Sequence, residues 1–467
     1  MTAPTPDKPH TTRSPNILFF FTDQQRWDTC GCYRDTPTLR GEAQVNSITP
    51  NMDRLAARGV RFENAFTCQP VCGPARACIQ TGKYATEVGC HTNHRMLPMD
   101  EKTIAHHFSE NGYEVGYIGK WHLASCGPKD GPDDFRELPV PPERRGGYKD
   151  HWLASDLLEF TSHSYDGHMF DAGMNKREFP EGRYRADAQT DWVIEYLQGR
   201  TPGKPFFLFV SYIEPHQQND HNHFEGPHGS KDRFRDFVPP GDLDPLEGNW
   251  PEEYPDYLGC VSSLDANLGR IVDELESQGV LDNTVIAFTT DHGCHFRTRN
   301  GEYKRSCHDS CIHIPMIISG PGFPGGRVVN EIVSLIDIPP TLIGCAGIEP
   351  PAYMRGRPLQ QLADDTAADW PAEAFLQISE SHCGRAIRTK DWTYSVAAPD
   401  KTGSDPDSDV YVESFLYDLN EDPHQQNNLV NSQDHAGVRV QLAETLKRRM
   451  SEAGEAVPEI RPAAGNA

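Results

Sequence analysis

The residues best placed to do chemistry begin with the stretch CQPVCGPARACIQTGKY, residues 68–84. Gly73-Pro74 can open a helix, because proline is tolerated in a first turn, and Gly82 can close it. Cys72 then sits at or beside the helix N-terminus, where unpaired N–H groups and the helix dipole favour an anion. Arg76, four residues on, shares the helical face of Cys72. A sulfur-bearing residue so placed, backed by a guanidinium, is suited to nucleophilic chemistry on an anionic substrate. Three other readings compete. Cys68, Cys72 and Cys78 could form a metal knuckle, but no second CxxC or HxxxH pair closes the set. A redox CxxC is absent. A buried, inert thiol is the ordinary fate of a cysteine.

Other reactive residues stand where apolar runs end. Asp23 follows NILFFFT, Asp291 follows VIAFTT, Lys120 and His122 close YEVGYIGKWH, and His216 closes FFLFVSYIEPH. A strand-end Asp ordinarily serves as a turn or helix cap. In an extended segment residues i and i+2 point to one side, so Lys120 and His122 could reach one ligand. Such a pair on a surface is otherwise just solvated. Cys294, Cys307, His308 and Cys311 could mimic a zinc site, although packing is the usual role of such cysteines. HQQNDHNHFEGPH carries His216, His221, His223 and His228, which either line a substrate mouth or sit in a polar loop. No function can be argued for Cys30-Gly-Cys32.

These residues need a scaffold that gathers them. NMDRLAARGVRFENAF reads as a helix capped by Asn51, stopped at Gly59 and followed by a strand. TIAHHFSENGYEVGYIGKWH and LDANLGRIVDELESQGVLDNTVIAFTTDHG repeat that order, with stops at Gly112 and Gly279. IPMIISGPG is one more apolar run. Helix–strand alternation with continuously apolar strands predicts an α/β fold, a large mostly parallel sheet sandwiched by helices. Ligands of such sheets bind at the carboxyl ends of the strands, the ends that carry Asp23, Lys120, His122, His216 and Asp291. Residues 1–14 read as a disordered tail, 15–365 as the catalytic domain, and 366–467 as a small α+β subdomain of antiparallel strands and a helix. Segments 125–185 and 217–255, rich in Gly, Pro, His and charge, read as long loops over the active edge.

The chain has 467 residues and a formal net charge of −24, from 68 acids against 44 bases. A nucleic-acid partner is thereby excluded, since phosphate binding needs a basic face. An anion site must rely on local cations, a metal and helix ends. Thirteen scattered cysteines argue for reduced thiols rather than a disulfide scaffold. The polar, proline-rich start has no apolar core of a signal peptide, and residues 17–21 are too short to span a bilayer. No membrane partner is expected. The expected location is cytoplasmic; a cleaved leader would make it periplasmic.

CGPARACIQTG resembles the signature of the formylglycine-dependent (type I) sulfatases, Cys-x-Pro-x-Arg with a later Thr-Gly, within the alkaline-phosphatase-like superfamily. Further pieces follow in that family's order: TDQQ, GKWH, EPH, TTDHG and KRSCHDSCIHIP, over roughly residues 15–345, with SFLYDLNEDPHQQNNLV similar to its closing strand. The resemblance implies that Cys72 is oxidised to formylglycine by a maturation enzyme. It implies one divalent metal held by Asp23, formylglycine 72, Asp291 and His292, with Gln24 adding an amide oxygen or only a hydrogen bond. Ca²⁺ is expected by family frequency; the imidazole makes Mn²⁺ the alternative. It makes Arg76 a support for formylglycine, Lys120 an anion clamp, His122 a base, His216 a leaving-group residue, and Lys304 a clamp and acid. Asp23-Gln24 and Asp291-His292 depart from the commoner Asp-Asp and Asp-Asn pairs and resemble choline sulfatases and phosphonate monoester hydrolases. His308 and Asp309 stand where the family has Tyr-Glu. The implied reaction is hydrolysis of an organic sulfate ester, small-molecule or oligosaccharide, and the resemblance of DQQ and KRSCH to bacterial sulfatases points to a carbohydrate sulfate, with phosphonate monoester or phosphodiester hydrolysis as the alternative.

Overall fold

A computed structural model describes residues 14–36 and 48–463. The expected tail, except for Ser14, lies outside the described residues. Among the described residues ten strands form the main sheet: β1 (Asn16–Thr22), β2 (Gly59–Phe66), β3 (Glu114–Lys120), β4 (His151–Ser155), β5 (His168–Asp171), β6 (Lys176–Glu178), β7 (Phe206–Ser211), β8 (Thr284–Thr290), β9 (Met316–Ser319) and β10 (Arg327–Ser334). Their spatial order is β10-β2-β9-β8-β1-β7-β3-β4-β5-β6. β8, β1, β7, β3 and β4 run parallel.

The alternation along β1 explains the layering. Ile17, Phe19 and Phe21 belong to one buried cluster, and Leu18 and Phe20 to another. Successive strand side chains point to opposite faces, so a strand apolar throughout must be covered on both. The helices Arg185–Gly199 and Trp250–Ser277 cover one face. The helices α2 (Cys72–Thr81), Ile104–Glu110 and Ile338–Cys345 cover the other. A second sheet is formed by β11 (Glu373–Ile378), β12 (Gly384–Thr389), β13 (Trp392–Ala397), β14 (Val410–Asp418) and β15 (Glu459–Arg461), with the helix Ala436–Glu452 packed against it.

Several local expectations are corrected. The helix α1 (Pro50–Arg58) takes Thr49, not Asn51, as its N-cap residue. Asn51 instead bonds through its backbone and side-chain nitrogens to Asp265, tying α1 to the long helix. IPMIISGPG supplies β9, which runs antiparallel to both neighbours. Segment 125–185 is not all loop, since β4, β5 and β6 extend the sheet there. The helix Trp250–Ser277 begins inside segment 217–255, with one proline in its first turn and Pro255 further in.

Candidate active site

Strand register brings the candidate residues together. Thr22 lies opposite Thr290 in the β1–β8 ladder, so Asp23 and Asp291, the next residues, leave the sheet side by side. Phe21 lies opposite Ser211, and Ser211 opposite Gly119, so Lys120 ends at the same edge. Cys72 is the first residue of α2, whose preceding residue, Val71, offers no side-chain cap, and Gly82 at φ 72° stops the helix. The Asn93 Oδ1 accepts the Gly73 N–H at 2.9 Å and supplies the missing cap.

The centre is buried and crowded with charge. Cys72 Sγ lies 3.3 Å from Asp23 Oδ1, 3.3 Å from His292 Nε2 and 2.7 Å from Lys304 Nζ. Asp23 Oδ2 accepts from Arg76 at 3.0 Å and from Lys120 Nζ at 3.0 Å. Burial opposes its charge, but Lys120, His216, Arg76 and Lys304 together hold its carboxyl well below the usual range. Asp291 is pushed up to about 7 by burial and by the Asp23 carboxylate, against Arg76 and Lys304. Burial, then Asp23, raises the Cys72 thiol to about 12, so it is a poor thiolate nucleophile near neutrality.

The donor set suits a divalent cation. Ligand atoms of Asp23, Cys72, Asp291 and His292 lie within 4.8 Å of one another. Asp291 Oδ1 accepts the backbone N–H groups of Gln24 and His292, each at 2.9 Å, whereas its Oδ2 is buried with no hydrogen-bond partner. His292 Nδ1 lies 2.9 Å from the Gly293 carbonyl. A proton on that nitrogen leaves the Nε2 lone pair facing the cluster, as a metal-ligating imidazole requires. Two adjacent buried carboxylates with an orphaned oxygen are what a dication relieves.

The remaining residues sort by contact. His216 Nε2 is 3.3 Å from Lys304 Nζ, and its Nδ1 is 2.6 Å from the Gln217 carbonyl. Lys304 Nζ is also 3.3 Å from His292 Nε2. His122, at φ 58°, has left the extended conformation, so the same-side argument linking it to Lys120 fails. The turn sends Lys120 Nζ inward to Asp23 and Glu159, at 3.0 and 3.2 Å. The His122 ring faces the pocket with Cys72, His216 and Lys304, and both its nitrogens lack partners. Burial, then Lys120 and Arg76, pushes it well below the usual histidine range. Arg76 grips Asp23, the Ser211 hydroxyl and the Lys120 carbonyl. The Gln24 Oε1 is 3.4 Å from the Gln217 N–H.

Sequence reasoning missed Glu159, Tyr303, Asn93, Asn219, Arg305 and Glu380, which also line the pocket. Tyr303 and Arg305 flank Lys304 and were findable; the others carry no sequence signal. The alternative zinc set does not assemble, since among the described residues no metal-type group includes Cys294, Cys307, His308 or Cys311. Cys294 packs in one apolar cluster, and Cys307 and Cys311 in another. His308 Nε2 meets Tyr417 at 3.0 Å and Asp309 pairs with Arg388.

The family described as Sulfatase matches residues 15–348, and that described as N-sulphoglucosamine sulphohydrolase, C-terminal, matches 301–452. An ulvan-active sulfatase of Formosa agariphila is 30% identical over 94% of this chain and 82% of its own length. A solved structure from work on glycosaminoglycan metabolism in Bacteroides thetaiotaomicron superposes with a TM-score of 0.80 at 24% identity, covering 95% of this chain and 97% of its own. Another, solved in complex with its substrate D-glucosamine-2-N,6-O-disulfate, has a TM-score of 0.74 at 25% identity, covering 95% and 98%. The fold is thus shared along nearly the whole chain, and the protein belongs to the sulfatase family, the sulfuric ester hydrolases.

Proposed function

We propose that this chain hydrolyses a carbohydrate sulfate ester, using formylglycine made from Cys72 and one divalent metal. The observation that carries the proposal is the seat of Cys72 Sγ, on a helix N-terminus between Asp23, His292 and Lys304. The sulfur stands in for a formylglycine oxygen. A hydrated aldehyde there supplies one hydroxyl to attack sulfur and a second whose deprotonation releases sulfate. Asp23, Asp291 and His292, with residue 72, would hold the metal, Ca²⁺ first and Mn²⁺ as alternative, which supplies charge neutralisation and lowers the pKa of a bound hydroxyl.

The chain's own groups divide the proton work. His122, neutral with both ring nitrogens free, takes a proton from a hydroxyl at residue 72. Lys304 Nζ, between Cys72 Sγ and His216 Nε2, binds an ester oxygen and, with His216, protonates the departing alcohol. Lys120 and Arg76 hold Asp23 charged and in place. Water adds across the S–O bond overall, giving alcohol and sulfate. Cys72 is buried, so a formylglycine-generating enzyme must meet its segment before the fold closes.

A sugar is supported by the disulfated glucosamine bound to the similar structure and by the polar rim of Asn93, His94, Arg136, Asn219 and Glu380. The twelve cysteines other than Cys72, all free thiols, suit a reducing compartment, the cytoplasm. The test is turnover of a panel of sulfated sugars beside an aryl sulfate and a phosphonate monoester, with peptide mass analysis of residue 72. A sulfated sugar is expected to lead, and activity to track the converted fraction. Preference for the phosphonate ester would assign the site to the alternative reaction. Full turnover with unmodified Cys72 would overturn the mechanism.

A further inference from the structure

The loop after His216 carries histidines that the reaction does not use. His221, His223 and Glu225 alternate in the sequence His-Asn-His-Phe-Glu, and their ligand atoms lie within 4.8 Å of one another. Glu225 is the fixed member. Its Oε2 accepts the Ser164 hydroxyl at 2.6 Å and the Ser164 N–H at 3.2 Å. Its Oε1 meets His221 Nδ1 in a close hydrogen bond and lies 4.0 Å from His223 Nε2.

The outer contacts orient both rings. His223 Nδ1 lies 3.1 Å from the Phe224 carbonyl, so a proton there leaves the lone pair on Nε2, toward Glu225. His221 turns Nε2 toward Asp220 Oδ2, 3.9 Å away. The His163 ring stacks on His221 at 4.4 Å and 5°, and its Nε2 meets Asp220 Oδ2 at 2.8 Å. His223 therefore has its second nitrogen against a carbonyl, the outer arrangement that fixes tautomer and direction in metal-binding histidines, whereas His221 gives its Nδ1 proton to Glu225 and an ion entering there would displace that proton.

We propose that His221, His223 and Glu225 form a second metal site, for a first-row transition-metal dication of the Zn²⁺ class, separate from the centre at Cys72. Two imidazoles, a carboxylate and an open side for water make a four-coordinate set suited to Zn²⁺, whereas Ca²⁺ seeks six or more oxygens. Both histidines are about half exposed, at 43% and 46%, so an ion can enter and the rings can turn to meet it. The site acts as a clasp. Glu225 ties this loop to Ser164, and Gln218 Nε2 bonds the Glu159 carbonyl at 2.8 Å between the same two segments. Those segments bring Asn219 and Glu159 to the pocket wall, so an ion here stiffens the wall without touching reacting atoms.

The test uses Zn²⁺ alone, on full-length protein freed of metal, with bound Zn²⁺ counted by equilibrium dialysis at micromolar free ion. Wild type is expected to hold about one ion per chain more than His221→Ala or His223→Ala, and to gain more in melting temperature on Zn²⁺ addition. Turnover of a small activated ester should be unchanged in both variants when metal-free at this site. Equal ion counts in all three proteins would overturn the site and leave only a hydrogen-bonded polar loop. A wild-type measurement covers a variant that fails to fold: Zn²⁺ should protect His221 and His223 from diethyl pyrocarbonate, and modification at the same rate with and without Zn²⁺ would equally overturn the proposal.

Discussion

Asp291 joins support and chemistry in one side chain. Its Oδ1 is held by two backbone N–H groups, while Oδ2 makes no hydrogen bond and lies 3.9 Å from Arg76 Nε. Asp291→Asn can keep the two amide contacts through its remaining oxygen and lose only the anionic one. The expected result is a normal fold, lower metal content and a kcat reduced roughly 10²–10³-fold, in line with removal of one electrostatic stabiliser. Metal analysis beside kcat checks it, and wild-type values for both would remove Asp291 from the centre. His216 and Lys304 make a different prediction. Their nitrogens are 3.3 Å apart on the pocket side of Cys72, where a leaving alcohol must depart. Alanine at either should reduce turnover of an unactivated sugar sulfate far more than that of an activated aryl sulfate, because only the poor leaving group needs a proton. Equal losses on the two esters would take both residues out of the acid role.

The element that sets the nucleophile is α2, and its first turn is capped from outside. Val71 gives no side-chain cap, and the Gly73 N–H is met by Asn93. Asn93→Ala should cost about 1 kcal/mol of stability, read as a lower midpoint in urea, together with a fall in kcat because the freed turn begins at Cys72. A stability loss with unchanged kcat would show that the cap does not position residue 72. What the sequence could reveal of the elements follows from their chemistry. β1, β3, β7 and β8 were legible because each is apolar on both faces and ends in a charged or polar tip. Asp23 and Asp291 were legible as candidates for the same reason, but their adjacency depends on strand register, which no single strand encodes. The direction of β9 was hidden, since an apolar run reads alike both ways. β4 to β6 were hidden because they are short, at five, four and three residues, and only the edge strand β6 is polar throughout. The start of the helix Trp250–Ser277 was hidden by prolines, one of which its first turn tolerates. The strand-alternation premise for His122 does not hold, because its left-handed backbone is set by the turn after β3.

At the scale of the whole molecule, the small sheet helps build the pocket. Glu380, just after β11, pairs with Arg305 and accepts the Asn93 N–H at 2.5 Å, linking the small sheet to both Lys304's segment and the cap of α2. The same segment is held from below. Arg388 on β12 grips Asp309 with both nitrogens, at 2.9 and 2.7 Å, and Arg299 bonds the carbonyls of His424 and Gln425 at 2.7 Å each. Lys304 thus lies on a strap fastened on one side to the loop after β14 and on the other to β12. The Arg388–Asp309 pair is largely buried, with side-chain exposures of 8% and 16%. Removing one partner leaves the other charge unpaired in a poorly solvated place, at a cost of about 3 kcal/mol. Arg388→Ala should therefore lower the melting temperature markedly, and Asp309→Ala should do the same. The double variant should lose less than the sum, because no unpaired charge remains. Both single variants should also raise KM for a sulfated sugar, since the strap carries Lys304 and Arg305 to the pocket, while the fraction of chains converted at residue 72 stays constant. A double-mutant cycle on melting, run beside KM and peptide mass analysis, checks all three. Strict additivity would mean that the pair is not coupled. Unchanged KM in destabilised variants would mean that the strap holds its place through Arg299 and Glu380 alone.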